Sequence, residues 1–203
     1  MDCQTKPVVF PDANLEAAIL SKLGLTKGPI PSADWTKITT LDLETLSIQN
    51  ITGLEHFTNL TSLSLYNNQI QDIAPLEALI NLTSLGISSN QIEDIAPLEE
   101  LTKLAWLNLG HNKIEDITPL EELTKLAWLT LGHNKIEDIA PLEELTNLTT
   151  LSLYNNQIED IAPLVELTNL TKLSLYNNPL NQESVEVHIP NLISRGVDVI
   201  IEV

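Results

Sequence analysis

The sequence predicts an α/β solenoid, a stack of short rungs whose strands join in one parallel sheet, and three observations carry that prediction. One phrase is written twice: Lys103 to Thr124 returns as Lys125 to Thr146, differing only where Asn108 becomes Thr130 and Thr118 becomes Ala140. Stepping by 22 residues in both directions places rung starts at Lys37, Asn59, Asn81, Lys103, Lys125, Asn147 and Asn169. A fixed period of roughly 20–50 residues is the signature of a repeat array. Within a rung, Ser62-Leu63-Ser64-Leu65-Tyr66 alternates with period two, so Leu63 and Leu65 point to one side and Ser62, Ser64 and Tyr66 to the other. One such strand cannot bury its apolar row, whereas stacked rungs share a continuous core.

The columns of a rung follow in order. Leu60, Leu63, Leu65, Asn68, Ile70, Ile73, Leu76 and Leu79 spell L-x-x-L-x-L-x-x-N-x-I-x-x-I-x-x-L-x-x-L. In these columns the chain resembles the leucine-rich-repeat proteins, and more closely the 22-residue repeats of bacterial internalin-type proteins, over residues 37–190. The resemblance implies a right-handed horseshoe with a parallel sheet on its concave side. Asn68 recurs as Asn90, Asn112, Asn134, Asn156 and Asn178, where a side chain with donors and an acceptor can satisfy backbone groups at the turn leaving the strand. The first rung holds Leu46 there, so the ladder should start one rung later. Ile70-Gln71-Asp72-Ile73-Ala74-Pro75-Leu76 then turns outward, with proline where a missing N–H costs little. So short a rung leaves room for one helical turn, and the convex side should be 3₁₀ or irregular. Thr118-Pro119-Leu120-Glu121 has the spacing of a capping box. Strands about 4.8 Å apart inside and bulkier turns outside curve the stack.

The two ends differ from the repeats. Residues 1–36 should cap the array, with 1–7 flexible. Pro11-Asp12-Ala13-Asn14 opens a helix over Leu15 to Leu23 that Gly24 stops, and a shorter helical piece is expected over residues 32–37. Phe10-Pro11-Asp12 ahead of that helix is similar to the N-terminal cap of internalin-type proteins. Seven rungs fill 37–190, the last degenerate, and 181–203 caps the other end. There Asn181 should cap a helix over Glu183 to Arg195, disturbed at Pro190 and ended by Gly196. Val197 to Ile201 should then add a final strand. Without such caps the outermost rungs would expose core and strand edge. The whole is expected to be one cooperative domain.

Composition bounds the function. The chain has 203 residues and is 43% hydrophobic, enough for one core. A net charge of -18 argues against DNA or RNA, because phosphate contacts need clustered Lys and Arg; an anionic membrane surface is disfavoured for the same reason. No apolar run approaches the roughly 20 residues of a transmembrane helix, and Cys3, being alone, excludes a disulfide scaffold. Met1 to Pro7 lacks the basic and apolar regions of a signal peptide. Two locations fit: the cytoplasm, or secretion or the cell surface after loss of a leader, with Cys3 opening a mature bacterial lipoprotein. A monomer is expected. Asn-x-Ser/Thr sequons at Asn50, Asn59, Asn81, Asn147 and Asn169 are by-products of the columns.

Function must then reside in the variable columns. All 3 tyrosines, Tyr66, Tyr154 and Tyr176, and two of the 3 tryptophans, Trp106 and Trp128, point away from the leucines. In rungs two to seven none of the 28 acidic residues does; on the first rung only Asp42 and Glu44 do. The acids instead fill the flank, as in Glu93-Asp94, Glu115-Asp116, Glu137-Asp138 and Glu159-Asp160, and the turns, as in Glu121-Glu122. An aromatic, hydrogen-bonding, carboxylate-free face inside an acidic shell has the composition of a recognition surface. The leading expectation is a module that binds a protein or peptide, with Tyr66, Trp106, Trp128, Tyr154 and Tyr176 as anchors and His111, His133, Lys113 and Lys135 as polar partners. Internalin-type proteins bind host receptors through this face, and the resemblance implies that role. The same rings beside Asn, Gln, Ser and Thr would also stack on sugars, and duplication alone would copy Trp and Tyr into a structural or consensus scaffold without a ligand.

Metal and catalytic readings are weaker. His111 and His133 lie on adjacent rungs, about 5 Å apart by strand spacing, which would suit two zinc ligands, but Lys113 and Lys135 beside them oppose a cation. The column Asp72, Asp94, Asp116, Asp138 and Asp160 reads as turn acids rather than Ca²⁺ ligands. No nucleophile elbow, P-loop, H-E-x-x-H or EF-hand spacing occurs, so neither an enzyme nor a cofactor is expected.

Overall fold

The computed structural model describes residues 8–26 and 35–202. Eight strands form one parallel sheet in chain order: β1 (Thr40–Asp42), β2 (Ser62–Ser64), β3 (Ser84–Gly86), β4 (Trp106–Asn108), β5 (Trp128–Thr130), β6 (Thr150–Ser152), β7 (Lys172–Ser174) and β8 (Asp198–Ile200). Leu41 pairs with Leu63 and Leu151 with Leu173, so the repeat period is also the register of the sheet. The last step, Lys172 to Asp198, is longer because the chain passes through a helix first.

The apolar columns are interior. Leu63, Leu65, Ile70, Ile73, Leu76 and Leu79 are at most 1% exposed, and one cluster runs from Phe10 to Val197. Opposite the strands lie the 3₁₀ turns that the short rung predicts: Leu54–His56, Ala74–Leu76, Ala96–Leu98, Thr118–Leu120, Ala140–Leu142 and Ala162–Glu166. The aspartate column makes the turn bonds expected of it. Asp72, Asp94 and Asp138 each accept the amide two residues on at 2.8 Å. The capping box at Thr118 does not form. Ile117 occupies the cap position with no side-chain bond, Thr118 is already inside the turn, and Asp116 takes the Thr118 amide at 2.8 Å.

Asparagines tie rung to rung. Asn68 Nδ2 donates to Leu65 O of its own rung at 2.9 Å and to Leu43 O of the preceding one at 2.8 Å. Its Oδ1 accepts the amides of Leu46 and Ile48 at 3.1 and 3.0 Å. The first rung is therefore served from the second, and Leu46 needs no asparagine in its place. The sequon residues make a second tie: Asn59, Asn147 and Asn169 each donate Nδ2 to a threonine carbonyl one rung back at 2.8 Å.

Both ends are capped. Helix α1 (Ala13–Lys22) starts earlier than its apolar spacing predicts because Asp12 caps it, accepting the Asn14 and Leu15 amides at 2.9 and 3.1 Å. The other oxygen of Asp12 accepts the Gln49 and Asn50 amides at 2.8 and 3.2 Å, so one carboxylate clamps the helix to the first rung. Gly24, at φ +68, ends the helix, with Leu25 N–H bonded to Leu20 O. Of the helical piece expected over 32–37, residues 32–34 lie outside the described residues, as do 1–7 with Cys3; Trp35 is buried beside Phe57. At the other end Asn181 Oδ1 accepts the Ser184 amide at 2.8 Å. The disturbance at Pro190 is a widened π turn, Ser184–His188, ahead of helix α2 (Ile189–Ser194), because proline has no N–H to continue the ladder. Gly196 stops α2 at φ +89, and β8 joins β7. No helix among the described residues is long and apolar enough to cross a membrane.

Candidate functional site

Strand alternation sends Trp106 and Trp128 to the face opposite the core, and the sheet register sets them side by side. Their rings stack at 4.7 Å with planes 7° apart. Trp106 leans back over the preceding rung, where a Cβ on Gly86 would lie 3.4 Å from its Cζ3. Gly86 thus supplies the floor on which the indole rests.

The next column leaves the strand through a left-handed turn. Asn67, Ser89, His111, His133, Asn155 and Asn177 all have φ between 53 and 56°. Few side chains tolerate that region, Asn and His among the best, so the polar composition of this column has a backbone cause. The His111 and His133 rings stack at 4.0 Å. Tyr154 lies over Gly132, where any Cβ would collide with it, and stands edge-on to His133 at 5.1 Å. Tyr176 stacks on Tyr154 at 4.8 Å, and Tyr154 Oη is 3.5 Å from His111 Nε2. Four rings therefore form a continuous ladder. Stacked and edge-on aromatic pairs of this kind contribute about 0.5–1.5 kcal/mol beyond buried area.

Hydrogen bonds orient this ladder. Asn177 Nδ2 donates to Asn155 Oδ1 at 2.8 Å, which turns Asn155 Nδ2 toward His133 Nε2, also at 2.8 Å. Where Asn155 donates, His133 accepts at Nε2. Burial, and secondarily His133, hold the His111 imidazole below the usual histidine range. Burial and then Tyr176 push the Tyr154 phenol up.

The other candidates lie apart. Lys113 and Lys135 turn to the acidic flank, pairing with Glu93 at 3.5 Å and Glu115 at 2.8 Å on the preceding rungs. Tyr66 is 44% exposed, with no ring contact among the described residues. Stacked imidazoles aim their lone pairs side by side rather than at one point, which is the wrong geometry for a shared zinc ion. The acid-free stretch is closed at both ends. Glu44 on the first rung accepts the Ser64 hydroxyl at 2.5 Å, and β8 places Asp198 beside Lys172 in the tryptophan column. A groove of about 540 Å³ opens on the flank, lined by Glu115, Asp116, Lys135, Glu137 and Asp138 but by none of the rings. Solvated acids are a poor lining for an apolar ligand. Sequence reasoning missed Gly86, Gly132, Asn155 and Asn177; the readable signal was a glycine one rung before an aromatic.

Models of leucine rich repeats match residues 58–100, 124–166 and 146–190, and 80–136. The leucine-rich-repeat domain of the endo-beta-N-acetylglucosaminidase EndoS matches residues 10–78. Among solved structures, an internalin (inlF) of Listeria monocytogenes is 33% identical with a TM-score of 0.79, covering 98% of this chain and 66% of that one. An internalin C2 (inlC2) of the same organism is 30% identical with a TM-score of 0.75, covering 96% of this chain and 95% of that one. The chain belongs to the internalin-type leucine-rich-repeat family. This internalin-type chain spans about two thirds of the inlF structure, by the 66% coverage. The functional domain of InlJ from Listeria monocytogenes, which includes a cysteine ladder, shares the fold at 22% identity and a TM-score of 0.53 over 84% of this chain and 51% of that one. Here asparagines make the ladder, and the sequence has 1 cysteine. No curated protein matches the sequence. Internalin-type repeat domains are generally protein-interaction modules.

Proposed function

We propose that this internalin-type chain is a non-enzymatic module that binds a protein or peptide across the aromatic face of its sheet. Trp106 and Trp128 are the central anchor, and His111, His133, Tyr154 and Tyr176 extend it. Tyr66, Lys113 and Lys135 contribute at the rim. The observation that carries this reading is the preassembled tryptophan stack, 4.7 Å between ring centres. Rings already fixed by neighbours lose little freedom on binding, and Trp and Tyr are the residues on which interface energy concentrates. The geometry favours a protein over a glycan. A sugar stacks on an open ring face, but each indole covers one face of the other, and the far side of Trp106 lies over Gly86.

The test compares intact chain with the double variant Trp106→Ala/Trp128→Ala in affinity capture, followed by a direct Kd measurement with each captured protein. A hot spot of about 2 kcal/mol or more weakens binding by roughly 30-fold or more, with the far-UV circular dichroism spectrum unchanged. Equal affinity in a folded double variant overturns the assignment.

A further inference from the structure

His111 and His133 leave adjacent strands at φ +55 and +56, the left-handed turn that the whole column shares. Their rings lie face to face at 4.0 Å. Behind them the hydrogen bonds run one way, from Asn177 to Asn155 to His133 Nε2, each 2.8 Å. A protonated His133 has no lone pair at Nε2. It is accommodated only if the Asn155 amide turns over, and the Asn177 amide must then turn with it. A second proton on His111 would set two cationic rings face to face, which repel.

Tyr154, edge-on to both rings, is held above the usual phenol range and stays neutral, and Tyr176 stacks behind it. Lys113 and Lys135 follow one residue after the asparagine that succeeds each histidine, and their charge is turned to Glu93 and Glu115. No ion pair joins either imidazole to a carboxylate among the described residues. The reluctance of His111 to protonate, from burial and then from His133, agrees with this geometry.

We propose that His111, His133, Asn155 and Asn177 form an acid-triggered latch on the sheet face. It is closed, with rings stacked and amides aligned, while both imidazoles are neutral, and it opens when they take up protons. Opening releases Tyr154 from the histidines and breaks the ladder on which a partner docks. That last consequence rests on the proposed binding role; the latch itself does not.

The test uses the full chain alone, labelled at histidine, tyrosine and asparagine, and follows NMR shifts from about pH 8 to about pH 5. The expected result is a transition whose midpoint for His111 lies below the ordinary histidine value of about 6.5. In that step the ring-stacking shifts of His111, His133 and Tyr154 collapse together with a change in the Asn155 and Asn177 amide signals. Asparagine already occupies this column at Asn67, Asn155 and Asn177, so the variant His111→Asn/His133→Asn suits the backbone; its Asn155 and Tyr154 signals should ignore pH. The latch is overturned if the rings stay stacked after both protons are bound, or if the double variant keeps the amide response. With a partner identified through the tryptophan experiment, acidification should weaken its binding to the intact chain but leave binding to the double variant flat. A partner affinity equally pH-dependent in both overturns the gating role.

Discussion

Asn68 couples two rungs through its one amide group. Replacing it with Ala leaves the Leu46 and Ile48 amides and the Leu43 and Leu65 carbonyls without their partner. Buried groups left unpaired cost about 1–3 kcal/mol each at most sites, so Asn68→Ala should lower the urea midpoint more than Asn67→Ala, which loses an exposed side chain and the asparagine preference for its left-handed backbone. A different residue test addresses the face. Gly132 is not at positive φ, so Gly132→Ala suits the backbone, but its Cβ displaces Tyr154. The near-UV circular dichroism of the tyrosines should change, and loss of the contacts with His133 and Tyr176 should cost on the order of 1 kcal/mol. The regularity of the asparagine column made its structural role legible in the sequence. The division of its bonds between two rungs was not, because it depends on how far one rung is offset from the next.

The N-terminal cap carries its own predictions. Asp12 is partly buried, which opposes its charge, but the amides of Gln49, Leu15, Asn50 and Asn14 outweigh that and hold its carboxyl below the usual range. The folded group therefore binds a proton less readily than the unfolded one, whose value is about 3.9. Its contribution is complete above that value and is lost as pH falls through the folded one. The cap signals should thus loosen only as pH falls below the ordinary aspartate range, and Asp12→Asn should remove that step from an NMR acid titration. Gly53 meets two constraints, a φ of +107 and the Phe10 ring against its Cα. Gly53→Ala should destabilise by at least about 1 kcal/mol, reported by the fluorescence of the nearby Trp35. The helix at Leu15 was legible from spacing, but its earlier start and its clamp were not, since Asp12 meets Gln49 only after folding. The capping-box reading of Thr118 failed for a related reason: an aspartate two residues upstream reached the amide first.

Across the whole molecule the charge of -18 is unevenly placed, with acids on the flank and turns and rings on the sheet face. Screening exposed charges should relieve their mutual repulsion, so raising ionic strength from about 0.01 M to about 0.15 M should raise the thermal midpoint. A midpoint that falls instead would show that the lysine–glutamate pairs outweigh the repulsion. The repeat period and the parallel register were readable from the columns, because stacking turns a period in sequence into a neighbour in space; the capping helices were readable from helical spacing where the columns fail. Period two told which side each ring faces; it could not tell that Trp106 and Tyr154 tilt one rung back, which for Tyr154 depends on the missing side chain of Gly132.

The two nearly identical rungs, Lys103 to Thr124 and Lys125 to Thr146, have a consequence for how such a surface changes length. A third copy spliced after Thr146 would bring its own tryptophan, histidine and glycine, so the seat beneath Tyr154 would be recreated one unit further along. The array would grow without any new junction having to be invented, as a ruler gains a graduation, and the separation between its two end marks would report how many copies had been laid down.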